Sequence, residues 1–301
     1  MLSFKPISIA DKDAITACTY PGRFLNCDFA FANMCSWRFL HDSEFAIVDG
    51  FLLIRFRIEE KGRKHQVYMF PVGNGDFRHI ITVLEDDARA NGHPLWILGV
   101  TPDEKKILDQ VFPSEFIYLP ERDYYDYIYL RSDLQQLKGK KYQAKRNHIN
   151  RFENKYRYAY LPLMPDLVPK CMELACKWYR DNRTEEAAED LKDEHRSMVF
   201  ALNHFRELDL RGGALCVDGE IIAFTCGSAI NHYTFGVHME KADIRYDGAF
   251  SVINREFVSR LPEQFLYINR EEDLGIPGLR HAKLSYHPVI LLEKNTAIKR
   301  R

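Results

Sequence analysis

A tandem repetition constrains this chain of 301 residues more than any other feature. The stretch beginning at Phe45, "FAIVDGFLLIRFRIEEKGRKHQVYMFPVGNGDFRHIITVLEDDARANGHPLWIL", reads as strand, tight Asp49-Gly50 turn, strand, turn, strand, glycine-containing loop, amphipathic helix and strand. The stretch beginning at Gly213, "GALCVDGEIIAFTCGSAINHYTFGVHMEKADIRYDGAFSVINREFVSRLPEQFLYIN", repeats that order, with Asp218-Gly219 at the hairpin. Each copy continues alike. The strand after the helix (Leu95 to Gly99; Phe265 to Asn269) leads to a short helix (Pro102 to Val111; Pro277 to His287) and a last strand (Tyr127 to Leu130; Val289 to Glu293). An antiparallel meander followed by a helix-connected strand is an α+β module, and two of them imply duplicated domains.

This grammar is similar to the GNAT (acyl-CoA N-acyltransferase) fold, a mostly antiparallel sheet that splays where a helix N-terminus meets an acyl donor. The expectation is two tandem GNAT-like domains, each a splayed sheet flanked by helices. They span residues 1–133 and 134–301, and the second opens with a basic helical segment over 138–206.

The net charge of −1 draws the chain to neither nucleic acid nor membrane as a whole, so any such attraction is local. Seven cysteines, an odd number without a CxxC pair, read as reduced core thiols of a cytoplasmic protein; no metal ligand set is expected. The start lacks the n- and h-regions of a secretory signal, and no window reaches the roughly 18 apolar residues of a spanning helix. Service to a membrane would be peripheral.

From Lys138 to Arg157 eight Lys/Arg stand against the single acid Glu153, a local net of +7, with Tyr142, Ile149, Phe152 and Tyr156 as an apolar stripe. Such a helix binds phosphates of RNA or anionic lipid through residues such as Arg146 and Arg151, or is answered by the acidic stretch "DNRTEEAAEDLKDEH".

In "NHYTFGVHMEKAD" strict alternation puts His238 beside Glu240, a candidate base and its neighbour. The following "ADIRYDGAFSVINREF" stands where an acetyltransferase carries its pyrophosphate loop. Arg245 and Gly248 fit a coenzyme A site; Phe250 and Asp247, the latter expected to cap the helix, speak against it. Asp76 plays the capping part in the first copy.

In "NREEDLGIPGLRHAKLSYHP" the run Arg270-Glu271-Glu272-Asp273 ends a strand, and Lys283 shares a helical face with Leu279, Ala282 and Tyr286. A lysine on a core-facing stripe needs an acid or an anionic ligand, and Asp273 or Glu272 is the expected partner.

The segment "VHMEKAD…GAFSVINREF…YINREEDLGIPGLRHAKLSYHPV" resembles bacterial proteins similar to the C-terminal, cytosolic domain of phosphatidylglycerol lysyltransferase, a tandem acetyltransferase fold related to the Fem transferases. The resemblance implies an acyltransferase taking an amino acid from aminoacyl-tRNA, with "KRNHINRF" contacting phosphates and Lys283 to Pro288 lining the acyl pocket. The acceptor would be an amine or hydroxyl on a lipid headgroup or a peptide. Glu240 or Asp273 would deprotonate it and Tyr286 would protonate the leaving group. His238, Arg270, Glu272 and Lys283 would bind substrate, and Arg146 and Arg151 a longer anion. Two other readings stay open: an acetyl-CoA-dependent N-acetyltransferase using Arg245 and Gly248, and a non-catalytic binder of RNA or anionic membrane.

Overall fold

Both Asp-Gly dipeptides make the hairpin turns that the repeat requires. In Asp49-Gly50 φ is +48° and +81°, and in Asp218-Gly219 +51° and +85°, so both central residues are left-handed, as a type I′ turn demands. The computed structural model describes residues 2–60, 62–182 and 188–300. The first half comprises β1 (Lys5–Pro6), α1 (Lys12–Thr19), α2 (Phe31–His41), β2 (Glu44–Val48), β3 (Phe51–Glu60), β4 (Arg63–Met69), β5 (Val72–Gly73), α3 (Phe77–Ala90), β6 (Trp96–Val100), α4 (Pro102–Val111), β7 (Phe116–Pro120) and β8 (Asp126–Leu130). The rest comprises α5 (Arg131–Gln136), α6 (Gln143–Lys155), β9 (Tyr158–Pro162), α7 (Val168–Asn182), α8 (Ala188–Asn203), β10 (Arg211–Val217), β11 (Glu220–Ala229), β12 (Thr234–Ala242), α9 (Ala249–Arg260), β13 (Tyr267–Asn269), α10 (Pro277–Leu284), β14 (Ile290–Leu292) and β15 (Asn295–Lys299).

The duplication is visible in the strand order. One sheet runs β1-β2-β3-β4-β6-β15-β7, with β5 on β3, and the other β9-β10-β11-β12-β13-β8-β14. Position by position the two orders correspond, and each holds one parallel pair after an antiparallel meander, β4 with β6 and β12 with β13. Asp76 caps α3 by accepting from the His79 N–H at 3.0 Å, as the sequence leads one to expect.

The last strands do not stay with their own halves. β8 leaves the first half and pairs with β13 and β14, while β15 returns from the C-terminus to lie between β6 and β7. Each sheet therefore takes one strand from the other side of residue 133. Strand pairing is decided by which edge and which apolar face are available, and neither is marked in the local pattern of Tyr127–Leu130.

Three apolar clusters form the core. One packs α3 and α4 on the first sheet through Ile80, Leu84 and Leu108. A second packs α6 and α9 on the second sheet through Ile149, Phe152, Ile253 and Phe257. The third is shared: Leu52 and Ile54 of the first sheet and Phe224 and Cys226 of the second meet Ile15, Cys35, Leu174 and Leu202 from the helices α1, α2, α7 and α8. All seven cysteines are free thiols.

Candidate active site

The parallel pair in the second sheet is short. Thr234, Phe235 and Gly236 face Tyr267, Ile268 and Asn269, and beyond them β12 and β13 diverge. Glu240 and Arg270 bridge the mouth of this gap, with Arg270 Nη2 donating to Glu240 Oε1 at 2.9 Å and Asn254 Nδ2 donating to the other carboxylate oxygen at 3.4 Å. Among the described residues no group accepts from the buried Arg270 Nη1, although the Tyr286 hydroxyl neighbours this guanidinium closely enough to feel its charge. The Tyr286 ring lies 4.9 Å from that guanidinium, and its hydroxyl donates to Ser251 at 3.3 Å. From α6, Lys145 sets its ammonium 4.0 Å over the same ring. Burial, and then the neighbouring Arg270, push the Lys145 amine down to about 8 against the pull of Glu240. Burial pushes the Tyr286 phenol up. Arg270 and Lys145 thus share the one carboxylate of Glu240 where the two strands part.

His238 and Glu240 do not stand side by side. The β11–β12 register slips between Cys226 and Gly227, which makes His238 the extra residue of a bulge and breaks the alternation expected from the sequence. Its Nδ1 lies 2.8 Å from Glu271 Oε1 and its Nε2 2.7 Å from Ser228 Oγ. Nδ1 thus faces a carboxylate oxygen and Nε2 a hydroxyl, which fixes the orientation of the ring. Asn33 of α2 adds a second donor to Glu271 at 2.6 Å. Ser228 is buried between the sheets, so this relay ties β11, β12 and α2 together and presents no nucleophile.

The other acids of the run serve as anchors. Asp273, wholly buried, accepts from Arg122 Nη1 (3.0 Å), Arg280 Nη2 (2.7 Å), Tyr127 O–H (2.5 Å) and the Gly275 N–H (2.9 Å). Burial raises its pKa, but these donors outweigh that and hold it well below the carboxylate range, so it is not placed as a base. Glu272 pairs with Lys294 at 2.6 Å. Lys283 is buried as expected, but its partners are backbone carbonyls: it donates to the carbonyl oxygens of Arg270 (2.6 Å) and Glu272. It pins the strand end that carries Arg270.

Lys294 precedes β15 and Asp126 begins β8, so the two meet where the exchanged strands cross, at 2.7 Å. Lys294 also lies 3.0 Å from Asp28. Cys27, Asp28 and Glu272 come close enough together to ligate a metal, but the ammonium of Lys294 is the cation they surround. Burial lowers its pKa, and Asp126, Asp28, the Cys27 thiol and Glu272 more than offset that.

On the basic helix, Arg146 turns back to the carbonyls of Leu137 and Gly139, so it does not reach toward a ligand. Arg151 is exposed and lies 3.4 Å from Asp247. Asp247 does not cap α9: the N-cap is Gly248 at φ +93°, without a side-chain cap bond. Arg245 is folded onto Asp243, with Nη2 donating at 2.6 Å. A Cβ at Gly248 would stand 2.6 Å from the His148 carbonyl oxygen, so α6 lies across the start of α9, where a pyrophosphate would have to enter. In the basic segment Lys141 pairs with Asp133 and Arg151 with Asp247, and Glu153 pairs with Arg255 of α9. Residues 183–187 of the acidic stretch lie outside them.

Sequence reading counts Lys145 among the basic residues without placing it in the site, names Glu271 in the acidic run without giving it a role, and misses Ser228, Asp126 and Lys294. Lys145 carried one usable signal, its i, i+4 relation to the apolar Ile149.

Two sheets that each splay at a parallel strand pair, built from a repeated unit, define a protein of the tandem acyltransferase fold. The chain belongs to the family described as phosphatidylglycerol lysyltransferase, C-terminal, whose model matches residues 23–298. It is 50% identical over 100% of both chains, with a TM-score of 0.95, to a conserved protein of unknown function from Bacteroides thetaiotaomicron. It shares its fold with the C-terminal domain of a putative lysylphosphatidylglycerol synthetase from Agrobacterium fabrum (13% identity, 97% of this chain and 92% of that one, TM-score 0.65). It shares it also with L-PGS from Bacillus licheniformis (14%, 96% and 91%, TM-score 0.65). No curated protein matches the sequence. Among the described residues no helix is long and apolar enough to cross a membrane.

Proposed function

We propose that the chain moves an aminoacyl group from an aminoacyl-tRNA to a hydroxyl or amine on an anionic lipid headgroup, in the gap between β12 and β13. The observation that carries this reading is the buried Arg270 guanidinium, held by Glu240 through Nη2 and with Nη1 unpaired among the described residues, with Lys145 beside it. The acceptor oxygen or nitrogen attacks the ester carbonyl, whose oxygen becomes negative and is held by Arg270, and the terminal ribose oxygen of the tRNA leaves. Lys145, pushed down to about 8, takes the acceptor's proton as a free amine and returns it to the leaving oxygen. Glu240 fixes Arg270, Lys283 fixes the strand end, and Tyr286 walls the gap. The exposed Arg151, Lys155 and Arg157 at the far end of α6 offer cations to the tRNA backbone. Family membership supports the lipid acceptor over a peptide, and the α6–α9 contact together with the Arg245–Asp243 pair weighs against coenzyme A as donor.

The test is transfer of labelled amino acid from bulk aminoacylated tRNA into phosphatidylglycerol vesicles. Arg270→Gln is expected to lower the rate by about 100-fold or more, as loss of an oxyanion donor does elsewhere, and Arg270→Lys to restore part of it. Unchanged transfer by Arg270→Gln, or acetyl transfer from acetyl-CoA in its place, would remove this reading.

A further inference from the structure

We infer that the outer side of α10, together with the turn that leads into it, docks the protein on an anionic bilayer. From Leu274 to Leu292 the sequence holds no carboxylate. In that stretch Leu274, Ile276 and Leu284 are 58%, 52% and 44% exposed, and Pro277, His281 and Leu284, at i, i+4 and i+7, share the outer face of the helix. The inner face belongs to Lys283, which is buried, and Tyr286 follows it into the gap.

The outward aliphatics are held there by rigid backbone. Asp273 ties the turn to Arg122 and Arg280, the Leu274 N–H donates to the Asp123 carbonyl at 2.9 Å, and Leu274 itself sits at φ +51°, a region leucine rarely adopts. A turn pinned in this way keeps Leu274 and Ile276 pointing away from the core.

Cations line one end of the patch. His287 Nε2 meets the Lys141 carbonyl at 3.2 Å, which sets the N-terminal end of the basic segment against the C-terminal end of α10. Lys138, Lys140 and Lys141 are exposed there, whereas Arg280, toward the other end, is taken up by Asp123 and Asp273. Of the carboxylates beside the patch, Asp133 pairs with Lys141, and Asp123 and the buried Asp273 with Arg280. An anionic bilayer answers both halves of this surface, since its phosphates meet the cations and its headgroup–acyl boundary takes the aliphatic side chains. Nucleic acid would use the lysines and leave the aliphatics in water. Docked in this way, the inner side of α10 would bring a headgroup to Arg270; that consequence rests on the proposed function, whereas the docking itself is read from the surface.

The experiment is co-sedimentation of the full chain with vesicles of phosphatidylglycerol and phosphatidylcholine, and with phosphatidylcholine alone, at low and high salt. The wild type should pellet with the anionic vesicles only. The double variant Leu274→Ser, Ile276→Ser should lose about tenfold in partitioning at an unchanged melting temperature, and the triple variant Lys138→Gln, Lys140→Gln, Lys141→Gln should lose the salt-sensitive part. Leu284→Gln, at an exposed helix position, gives the same reading if the double variant folds poorly. A wild type that stays in solution, aliphatic variants that partition like the wild type, or lysines that matter for tRNA alone would overturn the inference. Docking without transfer would defeat the proposed function only, and transfer to a water-soluble short-chain phosphatidylglycerol by an undocked variant would uphold it.

Discussion

Replacing Lys294 by methionine tests the idea that the two halves are clasped where their strands cross. The side chain is 3% exposed and is shared by Asp126, wholly buried, and by Glu272 and Asp28. Methionine keeps most of the volume, so the loss is electrostatic: buried carboxylates are left without their cation, a change that costs about 3–5 kcal/mol. For a chain of this length that corresponds to a melting temperature lower by about 6–10 °C, at about 2 °C per kcal/mol. Thermal and urea unfolding would measure it. The pH dependence has a definite sign. Burial already raises the Asp126 pKa in the wild type against the pull of Lys294, and in the variant it rises further, so this share of stability is present below about pH 4 and is lost as pH rises through the folded value. In the wild type Glu272 is held low by Lys294, which outweighs the effect of burial, and its contribution is lost as pH falls. The two curves should therefore converge on acidification, and Asp126→Asn in the variant background should recover part of the loss at neutral pH. A deficit under about 1 kcal/mol, or one that is constant from pH 7 to 4, would refute the clasp.

Two further outcomes follow from the gap and the helix that crosses it. The transfer rate should rise with pH through a midpoint near 8, that of Lys145; Glu240→Gln removes the charge that favours the ammonium and should move the limb to lower pH, and Lys145→Met should abolish it. Gly248→Ala meets both a left-handed φ and the His148 carbonyl, and should lower stability by about 1–3 kcal/mol by parting α6 from α9, read by urea unfolding.

Where sequence reading went astray, the cause is specific. His238 was paired with Glu240 by strict alternation, and one bulged residue sent it to Ser228 and Glu271. Lys283 was given an acid, yet carbonyl oxygens at the end of β13 met its ammonium first. Asp273 looked like a base because acids at strand ends often are, but two arginines separated from it by 151 and 7 residues neutralise it. Arg122 and Glu271 lie far outside the window that a periodicity argument reads, while Arg280 and Ser228 are near in sequence but are met through a turn and a bulge that break the period.

What the sequence by itself determined is what local chemistry dictates. The Asp-Gly turns, the period-2 and period-3.6 runs and their repetition fixed two α+β units, and an apolar stripe carrying Lys283 announced a buried lysine. What only the tertiary structure decided is which half each last strand joins. That depends on the edge and core each sheet leaves open, and it brings Asp126 to Lys294 across 168 residues of chain, a distance over which side-chain patterning carries no information.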